Sequence, residues 1–279
     1  MSPGRITWLT AAERGCDREP ERERKESMSF AHKTVMITGA SSGMGLLTSR
    51  CFVEAGANVV MIASSADRLQ EKVREVDESG DGRAVGFAAD VRSYRQISEA
   101  CAFAKKEFGS LDITIGFAGG SEYRIQNVPS GTEFFDVPIE VYDWGIDVNL
   151  KGQFYLAHAA MKYMAEQKSG VIINIGSVCG EEGETNCVAY SAAKSGVMGG
   201  LTKSLALVGA PYGIRCCCVS PGPVLTRPGM ASMKTLVGRA AEPQELVDMI
   251  LYLCSEKAGF ITGSNYFVDG GRVLVKDKL

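Results

Sequence analysis

Tyr190 and Lys194 stand four residues apart in Tyr-Ser-Ala-Ala-Lys. That spacing puts two side chains on one face of a helix, one turn apart. Ala189, Ser191, Ala192 and Ala193 around them are small, so the helix can lie close against a neighbour. Ser177 comes thirteen residues before the tyrosine, just past the apolar run 171–175, which reads as a buried strand. A hydroxyl at a strand end, followed by a helix bearing a phenol and an amine, brings three polar groups to one substrate oxygen. The set suits hydride transfer to or from a carbonyl. Tyr190 gives a proton to the carbonyl oxygen or takes one from an alcohol, and Ser177 holds that oxygen. Lys194 lowers the phenol from its ordinary pKa of about 10 and grips the cofactor ribose. Tyr-x-x-x-Lys alone also occurs by chance on solvated helix faces, so the surrounding elements must carry the reading.

Residues 34–38 form a short apolar strand, followed by Gly39-Ala-Ser-Ser-Gly43-Met-Gly45 and a helical pattern with Leu46, Leu47, Cys51 and Ala55 on one side. A strand, a glycine-rich turn and a helix start make an anion site, with the backbone close to a pyrophosphate and the helix N-terminus facing it. Gly39, Ser41, Ser42, Gly43, Met44 and Gly45 are the expected cofactor contacts there. The second strand, 58–63, ends in Ala63-Ser64-Ser65, where a dinucleotide fold would place an acid on the ribose hydroxyls. No carboxylate repels a 2′-phosphate, so the lean is to NADP over NAD. Ser64, Ser65 and Arg68 are the possible phosphate contacts; alternatively, they merely open the next helix. Strands at 84–89, 112–117, 171–175, 214–219 and 265–268 continue the series. Helices at 94–108, 139–167 and 243–255 alternate with them, and 121–138 reads as an irregular loop. The pattern predicts an α/β, Rossmann-type doubly wound parallel sheet of about seven strands, with helices on both faces, as a single domain over 28–279. Residues 1–27, with their charge-dense stretch 18–26, have no apolar period and read as a disordered leader, with Met28 a natural start or the leader an addition foreign to the natural protein.

The 279 residues are 45% hydrophobic and 23% charged, the balance of a soluble globular protein. A net charge of −3 argues against a nucleic-acid partner, and no apolar run approaches the roughly 18 residues of a membrane span. The nine cysteines show no C-x-x-C, and the only histidines are His32 and His158. This points to a reducing cytoplasm and no metal site. Cys216, Cys217 and Cys218 lie in an apolar run and read as buried small hydrophobes.

With those residues in place, the chain resembles the short-chain dehydrogenase/reductase family over about residues 31–272. The likeness rests on Thr38-Gly-Ala-Ser-Ser-Gly-Met-Gly45, Asp90-Val91, Ala118-Gly119, Asn149, Ser177, Tyr190-x-x-x-Lys194, Pro221-Gly222 and Asp269-Gly270. It implies a catalytic tetrad of Asn149, Ser177, Tyr190 and Lys194, with Asn149 helping to hold a water that links the lysine to solvent. From the residues alone, Asn149 would be an ordinary polar residue in a helix. The resemblance also implies that Asp90, Val91, Ala118 and Gly119 meet the cofactor, and that Pro221 and Gly222 shape the nicotinamide pocket. Val224 and Thr226 would touch the carboxamide, and paired helices would form a homodimer, often within a tetramer.

Three departures stand out. The family usually has Asn-Asn-Ala-Gly where this chain has Gly116-Phe117-Ala118-Gly119, so two side-chain amides are missing. Loop 121–138 is somewhat long, and its Tyr123, Arg124 and Phe134 could line the substrate cleft. The segment after Pro221-Gly222 is short, which suggests a small lid. The substrate is a small carbonyl or alcohol; Glu181, Glu182 and Glu184 would disfavour an acidic acyl carrier or a polyphosphate, could accept hydrogen bonds from the hydroxyls of a sugar or polyol, or are simply solvated loop charges. A dinucleotide-binding sensor without turnover is the alternative that the altered Gly116-Phe117 keeps open.

Overall fold

β1 (Thr34–Thr38) is buried along its whole length. It pairs in parallel with β2 (Asn58–Ala63) on one side and β4 (Ile113–Gly116) on the other. With β3 (Arg83–Ala88), β5 (Gly170–Ile175), β6 (Ile214–Pro221) and β7 (Asn265–Val268), a seven-stranded sheet forms in the order β3-β2-β1-β4-β5-β6-β7. All its pairings are parallel. This computed structural model describes residues 29–276, so the expected leader 1–27 lies outside the described residues. The chain winds from β1 out to β3, then returns to β4 on β1's other side. That reversal opens a crevice at the carboxyl ends of β1 and β4, where such sheets bind ligands.

Side chains alternate between two cores, as the period of two requires. Val35, Ile37, Met61, Ile115, Ile173 and Cys217 enter one; Met36, Val60, Ile62, Ile172 and Cys216 enter the other. Both faces are therefore covered, which is why these strands read as continuous apolar runs. The cysteine triplet is buried as expected, with Cys218 packed on Val197 and Met198. Burial pushes the Cys218 thiol up to about 11.

The helices are α1 (Gly43–Glu54), α2 (Ala66–Asp77) and α3 (Tyr94–Phe108). Two stretches differ from the sequence reading. Loop 121–138 holds a one-turn helix, α4 (Glu122–Ile125), and a 3₁₀ turn, Phe134–Asp136. The helix expected over 139–167 is broken into α5 (Ile139–Ile146) and α6 (Gly152–Gln167) by a π turn, Asp147–Lys151. Asn149 explains the break, since its Nδ2 donates to the carbonyl of Gly145 at 2.9 Å and occupies an acceptor on the preceding turn. After β5 come α7 (Cys179–Glu182) and α8 (Val188–Gly196), which carries Tyr190 and Lys194. A second π turn, Val197–Leu201, leads into α9 (Thr202–Gly209). Here the hydroxyl of Thr202 donates to the Val197 carbonyl at 2.6 Å. α10 (Pro243–Cys254) closes the layer over one face.

Candidate active site

The glycine-rich turn after β1 has no room for a side chain at Gly39 or Gly45. Gly39 has φ +69°, and a Cβ there would stand 2.7 Å from the amide nitrogen of Ala118. A Cβ on Gly45 would run into the carbonyl of Gly39. The turn thus brings bare backbone to the sheet's edge and to Ala118-Gly119. α1 begins there at Ser42, whose side chain makes no capping bond, and its first turn carries no acid. The helix N-terminus therefore presents its amides and positive dipole to whatever fills the crevice.

A cavity of about 480 Å³ occupies that crevice. Of the residues expected at the cofactor, Gly39, Ser41, Ser42, Ser64, Arg68, Asp90, Val91, Ala118 and Gly119 line it. Gly43, Met44 and Gly45 open the first turn of α1. Ser65 is the N-cap of α2 and is not on the lining. Arg92, which sequence reasoning passed over, lines the cavity and grips Asp90 through both carboxylate oxygens, at 2.6–3.1 Å. That grip holds the Asp90 carboxyl below its ordinary value, against a smaller cost of burial. The cavity fits a dinucleotide in chemistry: a glycine cradle and helix N-terminus for the pyrophosphate, and hydroxyls with a guanidinium at the end of β2.

Pro221, Gly222, Val224 and Thr226 stand beyond the end of β6. The Pro221 carbonyl accepts from the amide of Val178, which places it beside Ser177. Val224 is 3% exposed and bridges to Ala241, so its side chain turns inward; Thr226 is exposed, and its amide folds back on the Val224 carbonyl.

Ser177, Tyr190, Lys194 and Asn149 come together at the ends of β4 and β5. The Ser177 hydroxyl accepts from the amide of Cys179 at 3.2 Å and acts on the Tyr190 phenol, favouring its ionised form. Lys194 Nζ lies 5.5 Å from the centre of the Tyr190 ring and donates to the carbonyl of Ile175 at 2.7 Å. Burial pushes the Tyr190 phenol up to about 12, with the Ser177 hydroxyl the largest opposing influence. Burial pulls the Lys194 ammonium down to about 8. The expected lowering of the phenol by Lys194 is therefore not what governs these groups; loss of water does. Tyr190 is held as a proton donor, ready to protonate a carbonyl oxygen. Asn149, fully buried, brackets Gly120: its Oδ1 accepts from the Gly120 amide at 2.9 Å, and its Nδ2 donates to the Gly120 carbonyl at 3.0 Å.

Sequence reasoning missed two buried residues here. Glu122 is fully buried at the start of α4 and accepts from the amides of Ala189 (2.9 Å) and Tyr190 (3.1 Å). It caps α8 in place of Cys187, whose own side chain makes no capping bond. Gln153 is 3% exposed and bonds to Asn149 and Ile175. Glu122 gave no signal, being 67 residues from its partner; Gln153, four after Asn149, shares a helix face with it. The acidic loop also differs from expectation. Glu182 is paired with Arg272 at 3.2 Å, with side chains 12% and 10% exposed, so its charge is neutralised. Glu181 and Glu184 are exposed.

The chain is similar to known oxidoreductases along most of its length. The family model described as "Enoyl-(Acyl carrier protein) reductase" matches residues 39–272. Cis-4-hydroxycyclohexanecarboxylate dehydrogenase of Sinomonas cyclohexanicum is 32% identical over 88% of this chain and 99% of the relative. 7alpha-hydroxysteroid dehydrogenase of Bacteroides fragilis is 32% identical over 88% of this chain and 96% of its own. Among solved structures, a 3-oxoacyl-[acyl-carrier protein] reductase with bound NAD from Brucella melitensis superposes with a TM-score of 0.81. It is 29% identical, covering 98% of this chain and 99% of that one.

Proposed function

The chain belongs to the short-chain dehydrogenase/reductase family and is an NAD(P)-dependent oxidoreductase of CH–OH and C=O groups, and on that premise we propose that it interconverts a secondary ring alcohol and its ketone, preferring one that bears a carboxylate. The observation that carries the reaction is the meeting of Ser177, Tyr190 and Lys194 beside the glycine-cradled cavity. A bound nicotinamide supplies or takes the hydride. Tyr190 protonates the carbonyl oxygen in reduction and accepts the alcohol proton in oxidation. Ser177 holds that oxygen through its hydroxyl, and Lys194 would hold the cofactor ribose. Asn149 fixes the backbone of Gly120.

Two arginines support the preference for an acid. Arg124 borders the large cavity and a second one of about 240 Å³ between loop 121–138 and Asn186. Its guanidinium lies over Gly120, close enough that a Cβ there would be 2.7 Å away. Burial first, then the charge of Arg227, pull Arg124 below its ordinary value, while the Tyr190 phenol acts the other way. Arg124 and Arg227 each interact electrostatically with Tyr190, and two cations near one site attract an anion. Glu182 is neutralised by Arg272, while Glu184 stays charged beside Cys179. The two curated relatives described above act, by name, on a hydroxycyclohexanecarboxylate and a hydroxysteroid, both ring alcohols.

NADP is the favoured cofactor, because Ser64 and Arg68 line the cavity at the end of β2 and no acid stands there. The composition fits a reducing, cytoplasmic setting, and among the described residues no helix is long and apolar enough to cross a membrane. The test is kcat/KM for 4-hydroxycyclohexanecarboxylate, cyclohexanol and a 3-oxoacyl thioester with each cofactor. The acid is expected to exceed cyclohexanol by about tenfold, and Arg124→Ala to remove most of that margin. A thioester turned over faster than both would replace this substrate reading.

A further inference from the structure

The place of the side chain that Gly116, the last residue of β4, lacks is taken by another element. A Cβ on Gly116 would stand 3.0 Å from Gln153 Cγ and 3.1 Å from its Oε1. The space a side chain at 116 would enter thus already holds the Gln153 amide, carried there by α6. Every polar atom of that amide is engaged. Nε2 donates to the carbonyls of Asn149 (3.1 Å) and Ile175 (3.0 Å), and Oε1 accepts from the amide of Ile175 at 2.8 Å. The Ile175 carbonyl is also the acceptor for Lys194 Nζ. One side chain therefore links the backbone of the Asn149 π turn to the group that holds the lysine. It also pins the last residue of β5, two before Ser177.

We infer that Gln153 is a positioning residue for Lys194, supplying from α6 the side-chain amide that Gly116 lacks. This rests on the reading of Lys194 as part of the active site. The two donors share one carbonyl oxygen, so Gln153 sets both where that oxygen points and how strongly it attracts the ammonium. The titratable groups facing Lys194 are Tyr190, Cys179 and Cys218, and none of them bonds to Gln153. A change at Gln153 therefore reaches the lysine through Ile175.

The test compares wild type, Gln153→Leu, Gly116→Asn, the double variant Gly116→Asn/Gln153→Ala, and Lys194→Met, all as full chains. Each is assayed for turnover of the best alcohol across pH, for NADP affinity by fluorescence titration, and for thermal midpoint. Gln153→Leu is expected to lose about tenfold in kcat with cofactor affinity within about twofold. The pH limb titrated by Lys194 should move up, because the Ile175 carbonyl, freed of its second donor, stabilises the charged amine. Gly116→Asn alone should be impaired for want of space. The double variant should recover kcat to within about threefold, since its amide returns from the strand side. A Gln153→Leu enzyme with a lower thermal midpoint but unchanged kcat and pH limb overturns the inference and makes Gln153 a core residue only. A double variant that folds and binds NADP but recovers nothing overturns it too. Full activity in Lys194→Met would instead defeat the reading beneath it.

Discussion

At the scale of single residues, the site is governed by loss of water. Tyr190 at about 12 and Lys194 at about 8 are both pushed toward their neutral forms by burial. Tyr190→Phe keeps the ring and removes the proton donor. Turnover should fall by about 10² or more with NADP affinity little changed; a Phe variant of near-normal activity would remove Tyr190 from the reaction. Lys194 has a consequence for stability. An amine whose folded value is depressed binds fewer protons when folded, so between about 8 and its ordinary 10.5 stability rises with pH. Tyr190 acts oppositely above about 10, where the unfolded phenol loses its proton first. Lys194→Met should therefore be more stable than wild type at pH 7, by at most about 3 kcal/mol. The gap should narrow as pH rises from 8 to 10. Chemical denaturation at several pH values reads it, and a constant gap would mean that the amine stays charged when folded. Ser177, Tyr190 and Lys194 were legible because each sits at a fixed place on one strand end and one helix. Glu122 and Gln153 were not, because each reaches a partner that only the fold brings near.

Elements position these residues through their ends and irregularities. The glycine turn and the start of α1 were readable, since a strand, glycines and a helix leave few other geometries. The π turns were not. Each comes with a side chain bonded to a helix carbonyl, from Asn149 to Gly145 and from Thr202 to Val197, and a smooth apolar pattern over 139–167 conceals it. Likewise α8 has no cap of its own at Cys187, and its cap comes from α4. Glu122 accepts two amides with two carboxylate oxygens, one of them from Tyr190 itself. Glu122→Gln turns an NH₂ toward one of those amides and leaves it unpaired in a buried site. The expected loss is about 1–3 kcal/mol of stability. A fall in kcat larger than any change in cofactor KM should accompany it, because the first turn of α8 carries the phenol. Unchanged denaturation and unchanged kcat would show that the first turn holds its place without the carboxylate.

For the whole molecule, the alternating pattern of strands and helices was enough to give the sheet and its two covered faces. It was not enough to say which apolar residues face outward. Leu156, Val197, Met198 and Leu205 lie in the helical stretches 139–167 and 188–210. In the folded chain these are 7% exposed or less and belong to its own cores. What remains outward is Phe154, 46% exposed, which meets Tyr155 and His158 on α6, with Tyr94 of α3 packed against the same pair. Leu207 and Val208 stand out on α9, at 77% and 60% exposed. An aromatic cluster on paired helices suits a two-fold contact, where the same patch meets itself. We propose that α3 and α6 pair with their copies in a homodimer, and that the α9 residues extend it to a tetramer. Light scattering at micromolar concentration should give an assembled species for the wild type. Phe154→Asp should dissociate the α3/α6 contact, and Leu207→Asp should leave a dimer. A monomeric wild type would set this assembly aside, and a Phe154→Asp variant of unchanged mass would move the contact to another face.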